Sequence, residues 1–365
     1  MTLAKKVLDL AIQIQQIPAP TFAEGLRGEF VRNLLVRENL EDVSMDSLGN
    51  VYARLPGKQK KVKGLVVSAH LDTVFPAETN LQVKNEASRV FGPGIGDNSI
   101  GVAALFGILW GIRERKFELP HDIWFAANVG EEGLGDLRGM RGVVDRFGAD
   151  VLGYLVLEGL ALGHVYHRAT GVRRYRITAR TRGGHSWSDY GQPSAVHELA
   201  AMITQWTRIR LPREPRTTMN VGIMQGGTGV NVLAAEARCE LDLRSENPAA
   251  LKKVVAQVED IIIHWNHEGV KIQAEIIGER PAGELPAEHP WVNLAVNCVQ
   301  AQGLDAALTT GSTDANIPLS MGIPAVVMGV TTGGGAHTLG EYIDVEPIER
   351  GMESLLRFVS AVEAK

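Results

Sequence analysis

Residues 64–74 read GLVVSAHLDTV, an apolar run of strand-forming residues that stops on His70 and Asp72. Its near-continuous hydrophobicity over 64–69 fits a strand covered on both faces. Two further runs share that character, 122–127 (DIWFAA) and 151–157 (VLGYLVL). Between the first and second lies 99–115 (SIGVAALFGILWGIRER), which reads as a helix. Strands alternating with helices predict an α/β layer. Toward the N-terminus, 2–16 and 24–39 are expected as helices broken by Pro18 and Pro20, and 41–54 as a hairpin about Leu48-Gly49-Asn50. Near 166 the texture changes: RRYRITARTRGGHSW alternates apolar and basic residues, as a strand with one wet face does. Helical patterns at 194–209 and 248–266 and strand-like runs at 219–226, 235–244 and 270–277 complete a β-α-β-β-α-β order, the pattern of a ferredoxin-like domain. The α/β texture resumes after 281–290 with a helix at 290–302, a strand at 324–330 and a helix at 347–363. The expected architecture is a discontinuous α/β domain, 1–165 and 281–365, with a small α+β domain inserted at 166–280.

Composition narrows the function classes. The 365 residues point to about two domains at ~150 residues each. A net charge of −5 gives no reason to expect nucleic acid or an anionic membrane as partner. No apolar run reaches about 18 residues, so no spanning helix is expected. The opening MTLAKKVLDLAIQIQQI is interrupted by Asp9, Gln13, Gln15 and Gln16 and reads as an amphipathic helix of the mature chain. Cys239 and Cys298 lie far apart and outside every motif, which suits two buried thiols in a reducing cytoplasm.

Five segments end in residues able to hold or serve a metal ion: His70 and Asp72, Asp97 in GIGDNSIG, Glu131 and Glu132 in NVGEEG, Glu158 in LVLEG, and His337 in GAHTLGEYI. His70 and Asp72 are two apart at a strand end and share a face, so the carboxylate can orient the ligand ring. Adjacent Glu131 and Glu132 repel unless a cation relieves one of them, and the other then suits general base or acid work. Glu158 ends a buried strand and needs a partner. Taken singly, each has a plainer reading: a helix N-cap for Asp97, an ion pair with arginine for Glu158, a surface pair for His70 and Asp72, a loop histidine for His337. Their conjunction at strand ends and turns of one α/β layer is where such sheets place their sites. Three ligand carboxylates, Asp97, Glu132 and Glu158, with one hydroxide would balance two divalent ions. A ligand set of nitrogen and oxygen without thiolate suits zinc, and also cobalt or manganese.

These motifs, His70-Leu71-Asp72-Thr73-Val74, Gly96-Asp97, Glu131-Glu132-Gly133, Glu158 and His337-Thr338-x-x-Glu341-Tyr342, resemble those of the M20 family of metallopeptidases over nearly the whole chain. The resemblance implies a zinc-peptidase-like α/β catalytic domain with an inserted lid and dimerisation domain. It implies that Asp97 bridges two metals, that His70 and Glu158 complete one site, and that Glu132 and His337 complete the other. Glu131 is implied as general base and acid, and a cis peptide after Asp97. Many members carry a second aspartate where this chain has Asn98. In the inserted domain, His185 (GGHS) is implied as an oxyanion-stabilising group, often supplied across a dimer, and Asn231 and Arg244 as binders of the substrate carboxylate. Gly311-Ser312-Thr313-Asp314-Ala315-Asn316 resembles a stretch near the substrate pocket.

The expected activity is hydrolysis of a peptide or N-acyl amide bond of a small substrate by a cytoplasmic homodimer. Glutamate at position 158 resembles the carboxypeptidase and deacylase branch; the alternative is a tripeptidase- or dipeptidase-type aminopeptidase. A non-catalytic binding protein on the same fold would have lost a ligand or Glu131, and none is lost.

Overall fold

In the computed structural model, which describes residues 1–59 and 62–363, the strands Ile123–Asn128, Gly64–His70, Val151–Glu158 and Ala325–Gly329 lie side by side in that order and run parallel. All but the first residue of Gly64–His70, and all but the last of Val151–Glu158, are buried, as strands covered on both faces should be. Their register sets the site. His70 stands opposite Asn128, and Gly329 opposite Glu158, so the carboxyl ends of the strands finish on one edge. Antiparallel strands Val51–Leu55 and Glu41–Met45 extend one side of the sheet. His164–Ala169, antiparallel to Ala325–Gly329, extends the other and pairs with Ala307–Gly311.

Helix Ile100–Arg115 is apolar on every side, which marks a helix wrapped by protein. It packs between helices Leu3–Gln15 and Ile348–Ala361. Gly107 and Gly111 make that close approach possible: a Cβ on Gly107 would lie 2.6 Å from Val7 Cγ2, and one on Gly111 2.5 Å from Leu356 Cδ1. By length and composition alone the segment Ile95–Arg115 could cross a bilayer, but 89% of its apolar window is buried inside the fold. Core demand explains its hydrophobicity.

Short antiparallel strands Gly333–Gly334, Tyr342–Asp344, Arg89–Phe91 and Lys84–Asn85 form a second, small sheet. It carries the loop that holds His337 and leads directly into the turn that holds Asp97.

The chain divides into two compact units, Met1–Ala169 with Glu284–Lys365, and Thr170–Gly283. The sequence-based boundaries, 166 and 280, are corrected by a few residues, because His164–Ala169 is a strand of the first unit's sheet. In the second unit, strands Gly171–Arg180, Thr217–Gly226, Glu236–Ser245 and Lys271–Arg280 alternate with helices Ala195–Trp206 and Pro248–His264 in β-α-β-β-α-β order. The antiparallel sheet has Thr217–Gly226 at one edge and Lys271–Arg280 at the other. Tyr175, Ile177 and Ala179 are buried with Cys239, Leu241 and Leu243. The opposite face carries cross-strand ion pairs such as Arg176 with Glu240 and Arg180 with Glu236. Cys239 and Cys298 are buried free thiols.

Candidate metal centre

Asp97 turns one carboxylate oxygen toward each of two imidazoles. Its Oδ1 is 3.1 Å from His70 Nε2, and its Oδ2 is 3.0 Å from His337 Nε2. Glu158 Oε2 is 3.7 Å from His70 Nε2 on one side, and Glu132 Oε1 is 3.0 Å from His337 Nε2 on the other. Ligand-type atoms of His70, Asp97 and Glu158 lie within 4.8 Å of one another, as do those of Asp97, Glu132 and His337. Asp97 is therefore not the helix cap that its turn allowed. Ser99 occupies the cap position of helix Ile100–Arg115, and Glu158 finds a histidine rather than an arginine.

Each ligand-type side chain is set by its backbone. His70 ends its strand, and its Nδ1 lies 3.0 Å from the Asp72 carbonyl oxygen, closer than the Asp72 carboxylate at 3.6 Å. The carbonyl thus fixes the ring with Nδ1 as donor, so that Nε2, which faces Asp97, is the nitrogen left to ligate a metal when the ring is neutral. The Asp72 carboxylate lies beside the same nitrogen and raises the basicity of the ring. It also accepts the backbone N–H groups of Glu131 and Glu132, both at 2.9 Å, and the Thr21 hydroxyl at 2.9 Å. Asp72 thereby aims the glutamate loop. The Asp97 turn begins at Gly94, whose φ of 73° favours glycine. The Glu341 carboxylate accepts N–H groups from Gly94, Gly96 and Asp97 at 3.0, 2.7 and 2.8 Å. The Asp97–Asn98 peptide is cis. Asn98 spans the Glu158 strand end: Nδ2 donates to the Leu157 carbonyl at 2.8 Å, and Oδ1 accepts the Gly159 N–H at 3.0 Å. His337 holds a φ of 65°, uncommon for a histidine, and its side chain is half exposed.

The electrostatics are those of carboxylates crowded about two rings. Burial pushes the Asp97 carboxyl up, but hydrogen bonds to His337 and His70 outweigh it and hold it below the usual range. Burial pushes Glu158 up. His337, facing Asp97 and Glu132, is raised to about 10. The His70 ring is also raised, because its carboxylate neighbours overcome burial. Positive charge is wanted in two places, one at each end of the Asp97 carboxylate. Three carboxylates and two imidazoles, with no thiolate, form a donor set that fits two divalent ions.

In the second unit, strand Gly184–His185 pairs with Val232–Leu233. Trp187 N–H donates to His185 Nδ1 at 3.2 Å, which leaves the proton of the neutral ring on Nε2 as an outward donor. Asn231 neighbours this pair, its carbonyl accepting the Ser186 N–H at 3.0 Å. Arg244 lies on the open sheet face, its Nε donating to Asp242 at 2.7 Å.

The model of peptidase family M20/M25/M40 matches residues 66–361. The chain belongs to this family. A peptidase M20 domain-containing protein of Schizosaccharomyces pombe is 26% identical, over 85% of this chain and 72% of its own length. A succinyl-diaminopimelate desuccinylase of Corynebacterium glutamicum is 24% identical, over 96% and 95%. The crystal structure of a Staphylococcus aureus tripeptidase superposes with a TM-score of 0.83 at 22% identity, over 98% of both chains, and shows the common fold. As an M20 peptidase this protein is a hydrolase of amide bonds, with residues able to hold a dinuclear metal site.

Several residues around the M20 centre escaped the sequence. Arg27 is buried and donates to the carbonyls of Ile17 and Leu71; burial lowers its guanidinium to about 10, and Asp72 works against that. Buried Glu24 accepts the Gly130 N–H at 3.1 Å, one residue before Glu131. Asn128, which no motif marked, donates at 2.7 Å to the carboxylate of Asp314 in the 311–316 stretch already singled out, and burial pushes Asp314 up to about 7. The Tyr166 ring packs on Gly311, and its phenol is raised by burial and by the charges of Glu158 and Asp97. Thr21-x-x-Glu24 before a helix has the spacing of a capping box, but Glu24 itself is the cap residue and the Thr21 hydroxyl goes to Asp72. No local pattern marks the others.

Proposed function

We propose that this M20 hydrolase removes a C-terminal amino acid from a small peptide, or an acyl group from an N-acyl amino acid, at a two-metal centre. The Asp97 carboxylate, with one oxygen toward each histidine, is the observation that carries this reading. His70, Asp97 and Glu158 would hold one ion, and His337, Asp97 and Glu132 the other, with zinc the best match to the donors. When bound, such ions supply an activated water and polarise a carbonyl.

The residues of the chain do the rest. Glu131 is buried beside this cluster, its backbone N–H fixed on Asp72, and serves as the base that takes the proton of the water and returns it to the leaving amine. His185, with its proton on Nε2, donates to the developing oxyanion. Arg244 and Asn231 receive the substrate carboxylate, for which a guanidinium fork is well shaped. The desuccinylase relative, whose name describes removal of an acyl group, supports the deacylase side of this reading.

The same reading includes a homodimer formed through the second unit. Its edge strand Thr217–Gly226 is ten residues long and largely exposed, with Ile223 and Met224 outward, the form of edge that pairs with another chain. It also includes a cytoplasmic location, consistent with two buried free cysteines.

The test is metal analysis combined with hydrolysis of N-acetyl amino acids and of free tripeptides, with and without chelator. Two equivalents of metal, chelator-sensitive turnover and a preference for the acyl amino acids are expected. Preference for tripeptides with a free N-terminus would replace the proposal by an aminopeptidase. Turnover that survives full metal removal would overturn the metal centre.

A further inference from the structure

Among the described residues other than glycine, positive φ falls at seven positions, and six have a local reason. Asn39, Asp42 and Asp136 are of the types that tolerate this region. Lys116 ends helix Ile100–Arg115, Leu137 is fully buried, and His337 faces the metal centre. Phe22 fits none of these. It holds a φ of 76° and is 58% exposed, so it carries both backbone strain and an aromatic ring in water.

Its surroundings hold it there firmly. Thr21, on one side, donates to Asp72 at 2.9 Å. Glu24 Oε1, on the other, accepts the Phe22 N–H at 3.0 Å and the Gly130 N–H at 3.1 Å. The Arg138 guanidinium lies 4.7 Å from the centroid of the Phe22 ring and bonds to Glu24 at 3.1 and 3.3 Å. Arg138 also lies flat on Gly130, where a Cβ would come within 2.7 Å of its Cγ and Nε. Ring, guanidinium and the backbone leading to Glu131 therefore form one stack. The charge of Arg138 is answered by Glu24, so what the stack offers outward is apolar.

We propose that Phe22, backed by Arg138, is the subsite that receives a large apolar or aromatic side chain of the substrate. Contact with such a group covers the exposed ring. The proposal rests on the amide-hydrolase reading above and adds the substrate class.

The metal-loaded wild type and Phe22→Gly are compared on N-acetyl-phenylalanine, N-acetyl-leucine and N-acetyl-glycine. Glycine accepts the φ without strain and removes only the ring. The wild type should favour the apolar substrates, and Phe22→Gly should lower that preference about 10–100-fold, mainly through KM. Its Tm should be unchanged or higher and its metal content unchanged, whereas Phe22→Trp should keep the preference. An unchanged preference in Phe22→Gly, a lowered Tm, or a wild type that favours N-acetyl-glycine would each overturn the proposal. Should the wild type hydrolyse no acyl amino acid or peptide, the hydrolase reading fails, and calorimetric titration with free L-phenylalanine and glycine decides the subsite. Tighter binding of phenylalanine, by about tenfold or more and lost in Phe22→Gly, supports it; equal binding or none overturns it.

Discussion

Glu341 lies 244 residues beyond Asp97, yet its carboxylate accepts the Asp97 backbone N–H at 2.8 Å. The same group takes the N–H of Gly96 and of Gly94, so the loop that carries His337 and the turn that carries Asp97 move as one body. The cost of burying Glu341 pushes its carboxyl up to about 7, against the pull of those N–H groups. Both ends of the His337–Asp97 contact therefore depend on a residue that touches neither side chain.

Glu341→Ala should weaken metal binding about 10–100-fold, the usual effect of removing a partner that orients ligands. Three buried N–H groups would lose their acceptor, each at a cost of about 1–3 kcal/mol. Competition with a chromophoric chelator measures the affinity, and thermal unfolding the stability. Wild-type affinity in a folded Glu341→Ala protein would show that the His337 loop holds its place without it.

Glu131→Gln separates proton transfer from binding. The Glu131 backbone N–H on Asp72 is untouched by the change, so the loop and Glu132 stay in place. Turnover should fall about 10²–10⁴-fold while two equivalents of metal remain bound. An active Glu131→Gln enzyme refutes the assignment. Removing ligands should change the stoichiometry instead: His337→Ala should retain one ion, and Asp97→Ala neither, because Asp97 turns one carboxylate oxygen to each histidine.

The candidate ligand side chains that the fold brings together were legible because they stand at strand ends or in turns. The apolar run before His70 and the one ending at Glu158 announce buried strands, and a polar residue at their carboxyl end has few roles. The inserted unit was legible for the same reason, since Tyr175, Ile177 and Ala179 alternate with Arg174, Arg176 and Thr178. The strands around His337 are two or three residues long, too short to show a period. Helix Arg138–Phe147 contains Gly139 and Gly142, which argue against a helix. Gly139 is there for contact: a Cβ would lie 2.1 Å from the Val129 carbonyl oxygen. Arg27 and the Asn128–Asp314 pair are buried polar groups whose partners come from distant segments, and such pairing leaves no periodicity to read.

Asp314 should give the metal-free protein a pH dependence. Its folded-state value, about 7, lies above the ordinary carboxylate value of about 3.9 expected in the unfolded chain. The native state thus holds the proton more tightly. The resulting stability is complete below about 4 and is lost as pH rises through about 7. Asp314→Asn, which keeps an acceptor for Asn128, removes this group's share. In urea unfolding from pH 4 to 8, the stability of the variant relative to wild type should therefore rise with pH. A difference that stays flat would mean that the carboxyl is already ionised in the native state.

Asn98 makes a sharper demand, because both ends of its amide are used. Nδ2 must donate to the Leu157 carbonyl and Oδ1 must accept from Gly159, one residue on each side of Glu158. There is no slack around it: a Cβ on Gly101 would sit 1.9 Å from Asn98 Oδ1. Asn98→Asp keeps the acceptor and turns the donor into an oxygen facing an oxygen. The cost should be about 1–3 kcal/mol from the lost hydrogen bond and the stranded Leu157 carbonyl, with charge repulsion from Asp97 and Glu158 added. The damage should also reach the metal site bounded by Glu158 more than the one bounded by His337. Stepwise metal titration of Asn98→Asp should then show one ion weakened and the other nearly unchanged. Equal weakening of both would place the fault at Asp97, which the two sites share.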